Sequence, residues 1–426
     1  LSLEEAIDDA THFINFEKGL SALSRNPRTG MEQRGNRKWL VLAAFAGTAL
    51  VSQMLWLNFA TIAITIQNRY TVDESTANLL TLVFPLLYLV FSIPSGILID
   101  RKGYRVSVLW GSFMQAAASC IRIYDESFYA LLAGQVGIAV AQPFIVNGIS
   151  KLAADWFDED EGAAANGIGT VGMFAGMALA LGLTPVFVEH WGLRTAMIIF
   201  SLVSVAAAAI YALIDRKSIS ASKESTSSIS FGPVLKDKRL QLLFFLAFLG
   251  LGFFNGLTAW LEQILAPRGI SAIDAGIIGS ALIVGGIVGA AIVPNFSDKF
   301  KKRKPFLLSC VIAAVCLTYP LGMGSRFSIL VTLAAALGFF FLPAFALLLE
   351  MCSEVAGEKH TGAATGILML TGNAGGVVVM LAMDAIRFGS PSYDNAVYLL
   401  VVLLAIALFA SVFLPETYGA KPIEDK

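Results

Sequence analysis

Charge and reactive side chains are what this chain of 426 residues has least of: Asp, Glu, Lys and Arg make up 14% of it, with three histidines and four cysteines. So little charge excludes a water-soluble domain, because 56% of the residues are hydrophobic and the mean hydropathy is +0.72. The scarcity of cysteine excludes a disulfide framework; Cys120, Cys310, Cys316 and Cys352 fall within or beside apolar runs and read as packing residues. No nucleotide loop, metal-ligand cluster or nucleophile with a base is evident, which argues against an enzyme and against a bound cofactor. A net charge of -1 implies no nucleic-acid surface.

What the chain does have is long apolar runs. A helix needs about 20 mostly apolar residues to cross a hydrocarbon core about 30 Å thick, and a closed barrel needs an alternation that these runs lack. Twelve runs, at 39–66, 76–99, 104–123, 128–152, 162–188, 193–214, 240–266, 273–294, 305–324, 327–350, 362–386 and 394–414, predict an all-α membrane protein. With both termini cytoplasmic, 24 of the 30 basic residues fall on that side. Arg69, Arg122, Arg194, Arg268, Arg326 and Arg387 are then left one to each outer loop. The expected setting is a lipid bilayer, a plasma or inner membrane rather than an organelle, with the protein a monomer.

The polar, Ser-rich residues 215–239 have the composition of a flexible linker and divide six spans from six. The expected organisation is an N-terminal segment 1–37, a bundle 38–214, the linker 215–239, a bundle 240–414 and a cytoplasmic tail 415–426. Within the first segment, Leu3, Ile7, Ala10, Phe13 and Ile14 recur at helical spacing opposite Glu4, Glu5, Asp8 and Asp9. This amphipathic helix lacks the basic start and long apolar core of a signal peptide, and its acidic face does not suit anionic lipid. It reads as a cytoplasmic appendage or an expression-derived segment, with Met31 as an alternative start, or else as a regulatory helix.

The turn after the second run is Gly96-Ile-Leu-Ile-Asp100-Arg101-Lys102-Gly103-Tyr104-Arg105. A carboxylate at a helix end can accept hydrogen bonds from a neighbouring helix N-terminus and pair with nearby Arg, which makes a breakable latch. The helix start near Thr361 and Gly362 is the expected partner, and Gly103 permits the tight turn. Asp298 opens a related loop, whose basic run Lys301 to Lys304 reads as a topology signal. The spacing resembles the loop between spans 2 and 3 of the major facilitator superfamily. That resemblance implies two parallel six-helix bundles enclosing a solute site near the midplane, with Asp100, Arg101, Gly103, Arg105 and Asp298 as gating residues.

No charged side chain falls near the middle of a predicted span, where a proton relay would place one. Glu262 and Asp384 at the outer ends, and Glu350 and Glu354 at the inner end of span 10, are the carboxylates left for coupling. Amides and aromatics occupy the centre: Trp56, Asn58 and Phe59 on span 1, Gln142, Phe144 and Asn147 on span 4, Asn255 on span 7 and Asn373 on span 11. Amides can bind ligand hydroxyls or carbonyls and an indole face attracts an organic cation, but the same residues also serve as glue between membrane helices. Gly172, Gly176 and Gly182 allow close helix packing of a kind exporters use.

A narrower resemblance rests on Ala141-Gln142-Pro-Phe-Ile-Val-Asn147-Gly-Ile-Ser-Lys151, continuing to Trp156-Phe157. It rests equally on Asn255-Gly-Leu-Thr-Ala-Trp260-Leu-Glu262-Gln263 and on Glu350-Met-Cys-Ser-Glu354-Val with Thr361-Gly-Ala-Ala-Thr-Gly366. These segments resemble solute carrier family 49, the feline leukaemia virus subgroup C receptor-related transporters. The resemblance implies a small-molecule substrate, choline or ethanolamine, with Trp56, Gln142 and Asn373 helping to hold the amine. Asn373 shortens a family Gln, and Asn255 stands about where some members have Tyr. Haem transport is also attributed to the family, but His12, His190 and His360 lie outside the membrane core, leaving only Met or Cys to ligate iron. The alternatives are a haem, lipid-like or multidrug exporter of the same fold, and a receptor or sensor without transport.

Overall fold

The computed structural model describes residues 27–215, 231–357, 359–387 and 393–423, and all the regular structure among them is helical. The amphipathic stretch at 1–14 and most of the linker lie outside the described residues. The α-helices in chain order are α1 (Pro27–Leu57), α2 (Ala63–Tyr70), α3 (Glu74–Lys102), α4 (Tyr104–Ile121), α5 (Phe128–Val146), α6 (Gly148–Trp156) and α7 (Glu159–Ile214). They continue with α8 (Phe231–Lys236), α9 (Lys238–Leu265), α10 (Ala272–Phe300), α11 (Lys304–Met323), α12 (Phe327–Ala356), α13 (Thr361–Arg387) and α14 (Asp394–Val412).

Local chemistry sets several boundaries. Asp73 caps α3 by accepting the Thr76 N–H at 3.3 Å and the Thr76 hydroxyl at 2.5 Å. The hydroxyl is the main reason that its carboxyl is held below the usual range. Ser271 caps α10 through the Asp274 N–H at 3.1 Å, and Asp237 caps α9 through Arg239 and Leu240 at 2.8 and 3.2 Å. Gly103, at φ +83°, joins α3 to α4 in a conformation that a side chain disfavours.

Among the described residues, ten helical stretches are long and apolar enough to cross a membrane. The longest, Glu161–Ile214, has 54 residues and contains Gly192, whose φ of 79° and ψ of 163° break the helical path. The outer surface is apolar, with Val90, Ile93, Phe113, Leu202 and Phe409 exposed as lipid-facing side chains would be. Helix pairs approach through small residues, as membrane packing favours. A Cβ on Gly176 of α7 would lie 2.0 Å from the Leu50 carbonyl oxygen of α1. The corresponding distances are 1.9 Å from Gly375 of α13 to Phe248 of α9, and 1.7 Å from Gly338 of α12 to Leu282 of α10. The N-terminal set (37–214) meets the C-terminal set (238–412) chiefly through α3 with α13 and α7 with α10.

Candidate functional site

On the N-terminal side the Gln142 amide of α5 donates to the Gln53 amide oxygen of α1 at 3.4 Å. Gln53 precedes Trp56 by one turn, so Gln142 is drawn to the α1 face that carries Trp56. The indole N–H of Trp56 donates to the Thr81 carbonyl at 3.3 Å, and its ring stacks on Phe84 with centroids 6.1 Å apart. Gln53 is absent from the residues singled out above, although an amide inside an apolar run was the available signal.

Of the other N-terminal positions, Asn147, Phe144 and Phe59 are committed elsewhere. Asn147 accepts the Tyr88 hydroxyl at 2.7 Å and donates to Ser95 and Ser92 at 2.7 and 3.3 Å, joining α3 to the junction of α5 and α6. Phe144 packs 4.4 Å from Trp110, which faces the exterior. Phe59 is buried with the Arg122 guanidinium 5.8 Å from its ring centroid. Asn58 is fully buried in the break between α1 and α2, and neither of its amide atoms has a protein partner.

On the C-terminal side Asn255 of α9 is buried, with its oxygen unpartnered and its amide nitrogen where a Cβ on Gly376 would stand. Gly376 follows Asn373 by one turn on α13, so these two amides occupy neighbouring levels of one face. The Asn373 side chain donates back to the Met369 carbonyl at 2.9 Å. Phe341 of α12 lies against both Phe253 and Phe254, at 4.9 and 6.1 Å.

Polar contacts between the two helix sets concentrate at the end that carries Arg387. Glu262, 2% exposed, accepts the Ile64 N–H at 3.3 Å. The N-cap of α2 is Ile62, which has no side-chain oxygen to offer, so a carboxylate from the opposite set supplies the missing cap. Gln263 donates to Asn78 at 2.9 Å, Ser75 to Asp384 at 2.5 Å, and Arg387 pairs with Glu74. Deeper in, Ser280 of α10 donates to the Ala178 carbonyl of α7 at 2.8 Å. Among the described residues, no hydrogen bond or ion pair joins the two sets at the end that carries Asp100.

Asp100 and Arg101 are exposed, and Asp100 makes no hydrogen bond or ion pair with a described residue. The expected contact with the start of α13 is therefore not made in this conformation. Arg105 instead binds the backbone and carboxylate of Asp215, the latter at 3.8 Å. Burial pushes the Asp215 carboxyl up, against the Tyr211 hydroxyl at 3.1 Å and the Arg105 charge, both of which favour ionisation.

Asp298, Glu350 and Glu354 converge on Arg303, at 2.6, 2.9 and 2.9 Å. Arg303 is only 7% exposed, so the basic run read as a topology signal contains a buried hub. Burial opposes its charge, but Glu354, Glu350 and Asp298 outweigh that and raise its proton affinity. Asp384 and Glu262 thus serve inter-set contacts, whereas Glu350 and Glu354 serve an ion cluster within the C-terminal set.

A helical protein with long apolar stretches agrees with what the family comparison finds. The Major Facilitator Superfamily matches residues 44–380 and 264–425, well over half of the sequence, and the chain belongs to that superfamily of transporters. It is similar to solute carrier family 49 member A3 of Xenopus tropicalis, at 29% identity over 376 residues covering 81% of this chain and 77% of the relative. It is also similar to the choline/ethanolamine transporter flvcr2b of Danio rerio, at 23% identity over 438 residues covering 95% of this chain and 89% of the relative. The Felis catus choline/ethanolamine transporter FLVCR1 is 24% identical over 417 residues, covering 91% of this chain and 74% of the relative.

Proposed function

We propose that the protein is a twelve-span secondary carrier that moves a small organic amine of the choline or ethanolamine class by alternating access. The observation that carries this reading is the one-sided closure: five polar contacts join the helix sets at or toward the Arg387 end, while the Asp100 end has none among the described residues. The ten apolar stretches become twelve spans on two counts. A 54-residue helix would be about 80 Å long, far more than the core thickness of about 30 Å, so Gly192 divides it into two spans. The 18-residue α4, packed on α5 and α7, supplies the other.

Pairing supports two related bundles at 38–214 and 240–414. The contact of α1 with α7 has its counterpart in α9 with α13, and that of α3 with α5 in α10 with α12. Positive-inside charge puts both termini and Asp100 on the cytoplasmic side, so this conformation opens inward. The substrate side chains are Trp56, Gln142, Asn255 and Asn373, with Gln53 and Phe341 added to them. The indole supplies a face for a cation, and the amides supply donors and acceptors without a competing fixed charge.

Choline should raise the melting temperature of the purified protein in a saturable manner. Trp56→Ala and Gln142→Ala should weaken that response with expression preserved, whereas Asp100→Asn should alter transport turnover more than affinity. An unchanged choline response in Trp56→Ala would overturn the assignment of the cation face.

A further inference from the structure

Arg122 is the C-cap of α4 and is fully buried. Its Nη1 donates to the Gln135 amide oxygen at 2.8 Å, and its guanidinium carbon sits 5.8 Å from the Phe59 ring centroid. The Gln135 orientation is fixed, because its own amide nitrogen donates to the Leu80 carbonyl at 2.8 Å. The remaining donors, Nε and Nη2, have no protein acceptor. These two N–H groups point the same way along one edge of the guanidinium plane, the edge that binds anions in a bidentate manner.

No described carboxylate pairs with Arg122. The acid nearest in sequence, Asp125, is held by Arg69 at 2.5 Å, and its backbone carbonyl accepts the Tyr70 hydroxyl at 2.6 Å. Two other arginines toward the same end have counter-charges, Arg268 with Asp394 at 2.6 Å and Arg387 with Glu74, and Arg194 and Arg326 are exposed to solvent. The site is also sterically prepared, since a Cβ on Gly134 would stand 2.4 Å from the Arg122 Cγ.

Arginine keeps its proton in proteins, and a buried charge is strongly unfavourable unless an opposite charge meets it. An amide oxygen and an aromatic face lessen that penalty without cancelling the charge, and a water molecule would satisfy the donors only. We propose that Arg122 anchors an internal binding site for a small monovalent anion of the halide class, chloride in the cell, with Nε–H and Nη2–H as its ligands. The site is independent of the substrate. Its protein groups come from α4, α5, α3 and the break between α1 and α2, so an occupied site braces the corner from which α2 reaches Glu262.

The test is thermal unfolding of the full-length protein in sodium chloride, bromide or gluconate at equal ionic strength. Chloride and bromide should raise the melting temperature by several degrees in a saturable way relative to gluconate. Arg122→Gln should remove that difference, and Arg69→Gln should retain it. Equal melting of the wild type in all three salts, or a halide response that survives Arg122→Gln, would overturn the proposal. Should Arg122→Gln fail to fold, bromide anomalous scattering from wild-type crystals decides: a peak beside Nε and Nη2 upholds the site and its absence there rejects it.

Discussion

The pair Gln263 and Asn78 offers the sharpest test of one-sided closure, because it joins the two helix sets by a single 2.9 Å hydrogen bond between side chains only 2% and 5% exposed. Gln263→Ala leaves the Asn78 oxygen without its partner. A buried polar group left unsatisfied costs about 1–3 kcal/mol. That cost falls on the closed form alone, since opening this end lets the amide meet water. The equilibrium should therefore move toward opening at the Arg387 end by roughly 5–150-fold. Spin labels at Glu126→Cys and Arg326→Cys, in a background with the four native cysteines replaced, sit on exposed loops of opposite sets at this end. Their distance distribution should gain a longer component in Gln263→Ala. Replacing both partners by Leu should shift the population less than the single change, because no orphan amide remains. An unchanged distance distribution alongside a proportionate fall in melting temperature would refute the reasoning and make the pair a static packing contact.

Two further outcomes follow from packing and charge. Gly176→Ala should destabilise by about 1–3 kcal/mol, because a methyl 2.0 Å from a helix backbone carbonyl must push α1 and α7 apart, whereas Gly250→Ala meets nothing within 4 Å and should stabilise by up to about 1 kcal/mol. Melting temperatures that move the same way in both would refute the assignment of α1–α7 packing. Arg303→Met should cost about 3–5 kcal/mol near neutral pH, since Asp298, Glu350 and Glu354 lose their common cation. Arg303→Met/Glu350→Gln should recover part of that loss, because one uncompensated carboxylate is gone, and melting temperatures of the two variants check it. Equal deficits in the two variants would mean that the cluster is solvated.

The helical class and the membrane setting were legible because both follow from local composition: runs of about 20 apolar residues admit no other regular structure in lipid. Helix caps at Asp73, Asp237 and Ser271 are equally local, each a side chain reaching a backbone N–H within three residues. The superfamily loop around Asp100 was readable for the same reason, since a tight turn fixes residues at short spacing. The candidate site was only partly legible. Trp56, Gln142, Asn255 and Asn373 were picked out as polar or aromatic groups in apolar runs, yet Gln53 carried the same signal and became visible only when α5 placed Gln142 against it. Asn147 looked equivalent to Gln142 until Tyr88, Ser92 and Ser95 took up its hydrogen bonds.

What the sequence determined by itself is therefore whatever depends on neighbours along the chain: the apolar helical runs and the caps that begin them. Tertiary structure alone decided which charges have partners. Arg303 and Lys302 look alike in a basic run, but only Arg303 is buried among three carboxylates. Glu262 caps a helix from the opposite set, 198 residues away along the chain. Such pairings depend on how helices are juxtaposed, and helix periodicity carries a residue's direction around its own axis without naming the helix it will face.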